Sequence, residues 1–243
     1  YVYYDDTYNG GYSYDGKIIE GADKESFKAL DEFYGLDKNT VYYQDQKVEE
    51  ADPQTFVGLG FGYGKDQYQA FRNGKIIFHS EKDTFEVISH SYTKDKRYVY
   101  LDGEVMKGVK PDNFKVIDGY YTTDGQEVYY LWDRMEGADP NSLEYIEGPY
   151  SKDKNSVFYK KDKIWGSDPD TLEIISYEPS HKHYEKAFAR DKNSFFYNNK
   201  IIEDSDADSF KKINEFYFKD AKSIFWENKK IEGAHPHDFQ IIG

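Results

Sequence analysis

The chain has 243 residues, with 32 Lys and Arg against 46 Asp and Glu, and therefore a net charge of −14. A field of that sign repels phosphate backbones and anionic membrane surfaces, so we expect no nucleic-acid partner. No apolar run approaches membrane-spanning length, so no membrane insertion is expected either. Because cysteine is absent, neither a disulfide nor a thiolate metal site can form. The 25 Tyr, 17 Phe and 3 Trp predict a folded protein with an aromatic core.

One unit of about 29 residues recurs eight times. An aromatic residue or leucine marks each copy: Phe27, Phe56, Phe85, Phe114, Leu143, Leu172, Phe210 and Phe239. An aspartate repeats the count independently: Asp37, Asp66, Asp95, Asp124, Asp153, Asp191 and Asp220. The approximate copies are 4–32, 33–61, 62–90, 91–119, 120–148, 149–177, 187–215 and 216–243. Since each unit of such an array leans on its neighbours, the repeat predicts a single repeat domain over 1–243.

The most regular part of each copy predicts a β-hairpin. Val41 and the aromatic residue after it stand in columns of β-branched and aromatic residues, which favour a strand. Two turn residues follow, and pairs such as Asn73-Gly74 match the positive φ angles of a type I′ turn. Such a turn pairs Val41 with Val48, so these columns share a face that we expect to be core. Tyr42 then lies on the other face beside Lys47, whose long stem can cover the ring.

Other parts of the unit fit less well or follow a different rule. The turn pairs Leu131-Trp132 and Lys160-Lys161 fit a type I′ hairpin poorly. After the hairpin, sequences such as Ala51-Asp52-Pro53 predict a short helical turn, with Asp as N-cap and Pro in the first position. The fold class is therefore mainly β, with tandem hairpin repeats that each carry one helical turn. An open hairpin solenoid is favoured. A closed, propeller-like ring is the alternative, because residues 1–4 could add a strand to the last copy.

Two departures from the pattern predict a binding surface. The spacing between the sixth and seventh copies is 38 residues instead of 29, which places an insertion in 176–186, and insertions map to surface loops that carry specificity. One ring column varies, which indicates either a recognition surface or half-buried packing: Tyr43, Arg72, Leu101, Tyr130, Tyr159, Tyr197 and Trp226. The candidate binding residues are Tyr177, Glu178, His181, His183, Tyr184, Trp226, Trp165 and Trp132.

The run Asp37-Lys38-Asn39-Thr40-Val41-Tyr42-Tyr43 returns with substitutions at Asp153–Tyr159 and Asp191–Tyr197. It resembles the motif of the DKNYY repeat family of bacteria, and the resemblance covers essentially the whole chain. It implies an exported or cell-envelope protein, and it carries no common activity and no functional residues. The first residue, Tyr1, is not Met, and this agrees with the expectation of a processed, exported chain.

Residues that could carry chemistry have structural explanations. Asp37 and its equivalents could form a row of ligands, but an Asp before a strand commonly accepts backbone hydrogen bonds from two residues on, and every copy needs that turn. The glycine-rich run from Gly58 to Lys65 departs from the phosphate-binding templates. His181 and His183 could ligate a metal, but two histidines with no third ligand define no site. No nucleophile is linked to a base, so we expect no cofactor, no metal and no enzyme activity.

These observations predict a non-enzymatic binding or interaction scaffold for a protein or glycan partner. Two alternatives stay open. The C-terminal run Phe239-Gln240-Ile241-Ile242-Gly243 has no polar cap, and such an end tends to stack, which favours a self-assembling structural or surface protein. The net charge of −14 would instead suit an acidic inhibitor or immunity-type protein with a basic partner.

Overall fold

A computed structural model describes residues 3–4, 17–178, 186–214 and 216–241. Every regular element in those ranges is a β-strand, so the predicted fold class, tandem β-hairpin repeats, is confirmed. The chain divides into two compact units, Tyr1–Phe114 and Lys115–Gly243. Seven four-stranded antiparallel sheets follow one another, each formed from consecutive strands, and a two-stranded sheet precedes them. Among the described strands, no sheet closes into a barrel.

The first unit contains the first four sheets. The first sheet pairs β1 (Tyr3–Tyr4) with β2 (Lys17–Ile18). The strands of the second sheet are β3 (Lys28–Ala29), β4 (Tyr34–Leu36), β5 (Val41–Tyr43) and β6 (Gln46–Lys47). Those of the third sheet are β7 (Val57–Gly60), β8 (Tyr63–Lys65), β9 (Ala70–Arg72) and β10 (Lys75–Ile76). The fourth sheet contains β11 (Glu86–Val87), β12 (Tyr92–Lys94), β13 (Val99–Leu101) and β14 (Glu104–Val105).

The second unit contains the other four sheets. The strands of the fifth sheet are β15 (Lys115–Asp118), β16 (Tyr121–Thr123), β17 (Val128–Tyr130) and β18 (Asp133–Arg134). Those of the sixth sheet are β19 (Glu144–Glu147), β20 (Tyr150–Lys152), β21 (Val157–Tyr159) and β22 (Asp162–Ile164). The seventh sheet contains β23 (Glu173–Glu178), β24 (Lys186–Arg190), β25 (Phe195–Tyr197) and β26 (Lys200–Ile201). The eighth sheet contains β27 (Lys211–Lys212), β28 (Tyr217–Lys219), β29 (Ile224–Trp226) and β30 (Lys229–Lys230).

The predicted hairpin is formed by the third and fourth strands of each four-stranded sheet. Tyr42 pairs with Lys47, and Val48 donates its N–H to the Val41 carbonyl at 2.8 Å, as the two-residue turn requires. A unit of 29 residues is expected to hold two or three short strands, whereas each of these sheets has four. The additional strand is the first one, which follows the short turn at the end of the preceding sequence copy, so that each sheet spans the boundary between two copies.

The predicted helical turn is smaller than expected. Phe56 donates its N–H to the Asp52 carbonyl at 3.0 Å, and Phe27 makes the equivalent bond to Asp23 at 2.9 Å. Each is an isolated bond of helical spacing, and the next strand begins directly after it. No helix forms in the described residues, because a single turn fixes several backbone angles for one hydrogen bond.

Both faces of the sheets are core. Val41 and Tyr42 are both completely buried, although they point to opposite faces of β5. Phe71, the equivalent of Tyr42 in the third sheet, packs into the cluster that contains Val41, Val48 and Phe56 of the preceding repeat. The ring face of one sheet therefore covers the aliphatic face of the sheet before it. Burying one such ring contributes about 1.5–3 kcal/mol, far more than the predicted cover by a lysine stem.

Buried tyrosine hydroxyls join consecutive repeats. Tyr34 donates its hydroxyl to the Gly62 carbonyl at 3.1 Å, and Tyr121 donates to the Pro149 carbonyl at 2.7 Å. Both bonds span 28 residues, so they connect one sheet to the turn of the next. Desolvation on burial raises the pKa of both hydroxyls, so they stay protonated and can donate. The need for a hydroxyl donor at the start of the second strand explains why this position is Tyr in six of the seven four-stranded sheets.

The repeating aspartates are structural, as predicted, and they do more than shape a local turn. Asp37 Oδ1 accepts the backbone N–H groups of Asn39 and Thr40, both at 2.8 Å. Its Oδ2 accepts the N–H of Asp23 at 2.9 Å and the hydroxyl of Tyr42 at 3.0 Å. Burial alone would raise the pKa of Asp37, but the hydrogen bonds outweigh it and hold the pKa below its ordinary value. The aspartate therefore ties the preceding turn to the strand pair.

The same arrangement recurs in the other copies. All seven aspartates of the column are buried: Asp37, Asp66, Asp95, Asp124, Asp153, Asp191 and Asp220. A backbone N–H from the turn of the preceding repeat is donated to Asp37, Asp66, Asp95, Asp153, Asp191 and Asp220. A row of ligands is excluded for these carboxylates, because both oxygens already accept hydrogen bonds inside the protein.

Candidate functional site

In the second unit, two turns lie side by side at one end of each sheet. The first turn joins the first two strands, and the second joins the last two. Leu131 donates its N–H to the Tyr120 carbonyl at 2.8 Å, and Glu227 donates to the Phe216 carbonyl at 2.7 Å, so the second turn is fastened to the first. The sixth and seventh sheets make the equivalent bonds from Lys160 and Asn198. We call this end of the fifth to eighth sheets the tip edge.

The tip edge of the fifth sheet exposes two aromatic side chains. Trp132 is 51% exposed in the second turn, and Tyr120 is 54% exposed in the first. The ring of Tyr130 lies between this surface and the core. Its centroid is 6.1 Å from that of Tyr120 and 5.1 Å from that of buried Tyr121. The exposed Tyr120 ring is therefore supported from below by packed aromatic residues, which limits its movement and prepares it for contact.

The backbone that presents Trp132 is strained. Leu131 has a φ of 53°, in the left-handed region that glycine and asparagine prefer. Two equivalent turns satisfy this demand with Asn73 and Asp102, each followed by glycine, whereas three others share the strain, at Gln44, Lys160 and Glu227. The poor fit predicted for Leu131-Trp132 is thus real, but the turn forms anyway because the buried strands fix the register, Tyr130 opposite Asp133. A leucine in this conformation costs about 1–2 kcal/mol.

The insertion lengthens the first hairpin of the seventh sheet. β23 and β24 pair beyond the length of their equivalents, with Tyr177 opposite Ala187 and Glu178 opposite Lys186. These two additional pairs lie at the tip-edge end of the seventh sheet. The predicted binding residues His181, His183 and Tyr184 lie outside the described residues, and of Glu178 only the backbone pairing is described.

Tyr177 is a packing residue as much as a surface one. A Cβ added to Gly148 would stand 2.7 Å from the Tyr177 ring, so the ring lies directly against the Gly148 backbone. It also packs against the buried cluster that contains Tyr150 and Phe196, and its side chain is half-buried. A large side chain at Gly148 would displace it. The ring therefore fixes the base of the insertion to the sixth sheet.

The other side of the insertion base contacts the eighth sheet. Lys186 Nζ lies 3.8 Å from the centroid of the Phe216 ring and 3.8 Å from Glu227 Oε1. Trp226, next to Glu227, is 45% exposed. Burial and then the Glu227 charge raise the pKa of Tyr197 on the neighbouring strand of the seventh sheet. The structure thus brings the insertion base and Trp226 to one part of the tip edge.

The three tryptophans do not form one cluster. Trp165 is 76% exposed, but it follows the last strand of the sixth sheet and therefore lies at the end opposite to the tip edge. Lys163 Nζ is 4.8 Å from its ring centroid. Trp132 and Trp226 share the tip edge but belong to the fifth and eighth sheets. In the variable ring column only Trp226 is exposed and the other members are buried or half-buried, which favours packing for most of it.

Sequence analysis missed Tyr120. It stands in a column with Phe33, Gly62, Ser91, Pro149, Ala187 and Phe216. Its variation was a usable signal, but its exposure depends on the first strand of the sheet, which was not predicted. Phe61 was also missed. It lies with a φ of 53° in the turn between β7 and β8, so the glycine-rich run is a hairpin and not a phosphate-binding loop.

The described residues give no sign of a metal centre, and the two grooves found on their surface follow from the repeat. No group of three or more His, Asp or Glu side chains there could hold a metal ion. Two shallow grooves of about 260 and 400 Å³ occupy equivalent places in the third and eighth sheets, one beside Lys65 and Asp66 and the other beside Lys219 and Asp220. Because the same columns line both, the grooves follow from the repeat. No helix in the described part is long and apolar enough to cross a bilayer.

Comparison with known proteins gives one positive result. Neither the curated proteins nor the solved structures include a significant match to this chain. The model of the DKNYY family matches residues 2–133 and 188–243, which is more than half of the sequence. Its two segments flank the region that contains the insertion. From the repeat, the aspartate turns and this match together, the chain belongs to the DKNYY family.

Proposed function

We propose that this protein is a non-enzymatic binding scaffold that takes a protein or glycan partner on the tip edge of its second unit. The observation that carries the proposal is the exposure of Trp132 and Tyr120 in two adjacent turns, with the Tyr120 ring packed on that of Tyr130. Exposed Trp and Tyr are enriched where proteins bind partners.

The regularity of the remaining structure supports this assignment. Aspartates and buried tyrosines carry out the same structural task in copy after copy, so their presence needs no functional explanation. The tip edge instead differs from sheet to sheet, with rings in the fifth and eighth sheets and an insertion in the seventh. In repeat proteins, insertions and variable positions on one face form the binding surface.

Affinity capture tests the proposal. The intact chain is used as bait in lysate and envelope fractions of the source cell, beside a variant that carries Tyr120→Ala and Trp132→Ala. We expect a partner that the intact chain retains and the double variant loses. Trp165→Ala is the matched control, because that residue is even more exposed but lies at the other end of its sheet. A partner retained equally by the tip-edge variant contradicts the proposed site.

A second variant isolates the insertion. Residues 179–185 are replaced by Asn-Gly, which can close the hairpin directly because Glu178 already pairs with Lys186. Loss of the partner here and in the double variant places the contact along both parts of the tip edge. If the intact chain captures only itself, the self-assembling alternative replaces the scaffold. The expected export of the protein is tested by the fraction in which the partner occurs.

A further inference from the structure

The tip edge already uses aromatic rings to hold cations. In the second unit, Lys186 Nζ stands 3.8 Å from the Phe216 centroid, and Lys160 Nζ stands 5.8 Å from that of Tyr159. Both rings belong to residues beside the turns of the tip edge. A cation over such a ring is attracted by the negative face of the π system.

Tyr120 is the structural equivalent of Phe216. Each residue directly precedes the second strand of its sheet, and each accepts a backbone hydrogen bond from the tip of the second turn. In the eighth sheet, the Lys186 ammonium group lies over the Phe216 ring. In the fifth sheet Tyr120 and Trp132 are each more than half exposed, and within the described residues of this unit no Lys or Arg lies over either ring. The same position is therefore accessible to a cation from another molecule.

The charges around the fifth-sheet rings suit a cation. Asp118 ends β15 just before the first turn, and Asp133, more than half exposed, directly follows Trp132. Lys161 of the neighbouring sheet lies 3.0 Å from Asp133 Oδ2, in an exposed ion pair worth little to stability. The chain as a whole carries a net charge of −14, which attracts basic partners.

Resting on the proposed function, we infer that the Tyr120 and Trp132 platform binds an arginine or lysine side chain of a basic protein segment. The guanidinium or ammonium group lies over the rings, and Asp133 provides the carboxylate beside them. Lys161 competes for that carboxylate. The partner is then a cationic peptide rather than a neutral glycan, and Tyr120, Trp132 and Asp133 are the residues that recognise it.

Calorimetric titration of the intact chain with acetylated, amidated hexa-arginine tests the inference. Hexa-citrulline is the uncharged control of the same shape, and cellohexaose and chitohexaose are the glycan probes. We expect binding of hexa-arginine only. Trp132→Leu should weaken it about fivefold, because leucine keeps apolar surface but has no π face, whereas Trp132→Phe should weaken it less than twofold. Lys161→Ala should strengthen it about twofold by freeing Asp133.

A matched control separates the platform from general charge attraction. Trp165→Leu changes an exposed ring at the other end of a sheet and should leave the affinity unchanged. Equal affinity of hexa-arginine for the Trp132→Leu variant and the intact chain would overturn the inference, since binding would then be non-specific. Binding of an oligosaccharide at Tyr120 and Trp132 would overturn it too, but would leave the scaffold in place. The proposed site fails separately, if capture of a cellular partner is insensitive to both residues.

Discussion

Within the fifth to eighth sheets, the end that carries the buried aspartates repeats almost without change, whereas the tip edge differs from one sheet to the next. Asp124, Asp153, Asp191 and Asp220 are all buried and accept equivalent hydrogen bonds. At the tip edge, the turn residues range from Lys160-Lys161 to Leu131-Trp132. One end of the sheet is thus under a common structural constraint. At the tip edge the turn residues can differ from repeat to repeat, because the strands already determine the turn geometry.

The largest expected effect is at the aspartate end. Asp95→Ala removes the acceptor for the N–H groups of Glu81, Arg97 and Tyr98 and for the Tyr100 hydroxyl. We expect a loss of about 3 kcal/mol in the free energy of unfolding, because hydrogen bonds to a charged acceptor are strong and their buried donors lose their partner. Equilibrium urea unfolding measures it. Asp83→Ala, at an exposed ion pair, is the control with an expected change below about 0.5 kcal/mol.

The second prediction concerns the loss of stability at acidic pH. Burial alone would raise the pKa of Asp95, but its hydrogen bonds outweigh burial and lower the pKa, as they do for Asp37. A group with a lowered folded pKa stabilises the protein fully above its unfolded pKa of about 3.9, and this stabilisation is lost as pH falls through the folded pKa. We therefore expect the urea midpoint to fall with pH below about 4. In Asp95→Asn the fall should be smaller, and an equal fall in both proteins would show that this group does not contribute.

A smaller gain is expected at the strained turn. Leu131→Asn places a residue that tolerates the left-handed region where Leu131 has a φ of 53°. We expect the free energy of unfolding to rise by about 1 kcal/mol, as measured by urea unfolding. Lys160→Asn, at the equivalent turn with a φ of 54°, should give a similar gain. If only Lys160→Asn stabilises the protein, packing of the Leu131 side chain compensates for its backbone.

The smallest effect on stability is expected at Trp132 itself. Trp132→Asn introduces a residue type that equivalent turns use, as at Asn199 and Asn228. The free energy of unfolding should change by less than about 0.5 kcal/mol, since the side chain is half-exposed and on the surface. Thermal unfolding checks this. A loss above 1 kcal/mol would mean that Trp132 is a structural residue, and the contrast between the two ends would disappear at the fifth sheet.

Much of the fold could be predicted because the same residue types recur at the same positions in successive copies of the repeat. The aspartate turn follows from the residues beside Asp37, and the hairpin register follows from the two-residue turn between Val41 and Val48. The first strand of each sheet was missed for one of two reasons. In the second, fourth and eighth sheets it has two residues, too few to show alternation, and in the other four sheets a bulge interrupts the alternation. It forms because the neighbouring strand offers unsatisfied backbone groups.

The candidate site was predicted only in part. Of the three tryptophans selected as candidate binding residues, Trp132 and Trp226 lie at the tip edge, but Trp165 lies at the other end of its sheet. Tyr177 was selected as part of the insertion, yet its ring packs on Gly148. That contact joins residues of two repeats, and nothing in the local pattern around either residue indicates it. Open or closed assembly of the repeats stays a prediction.

The hydrogen bonds of the aspartates and tyrosines also bear on how the chain folds. Asp153 accepts the N–H of Asp139, and Tyr121 donates to the carbonyl of Pro149, so these links join residues only 14 and 28 positions apart. Loops of this length close at little entropic cost, and contacts of short range favour fast folding. Each sheet can thus form as soon as the next repeat has left the ribosome, and a nascent chain would expose the aromatic face of only its most recent repeat.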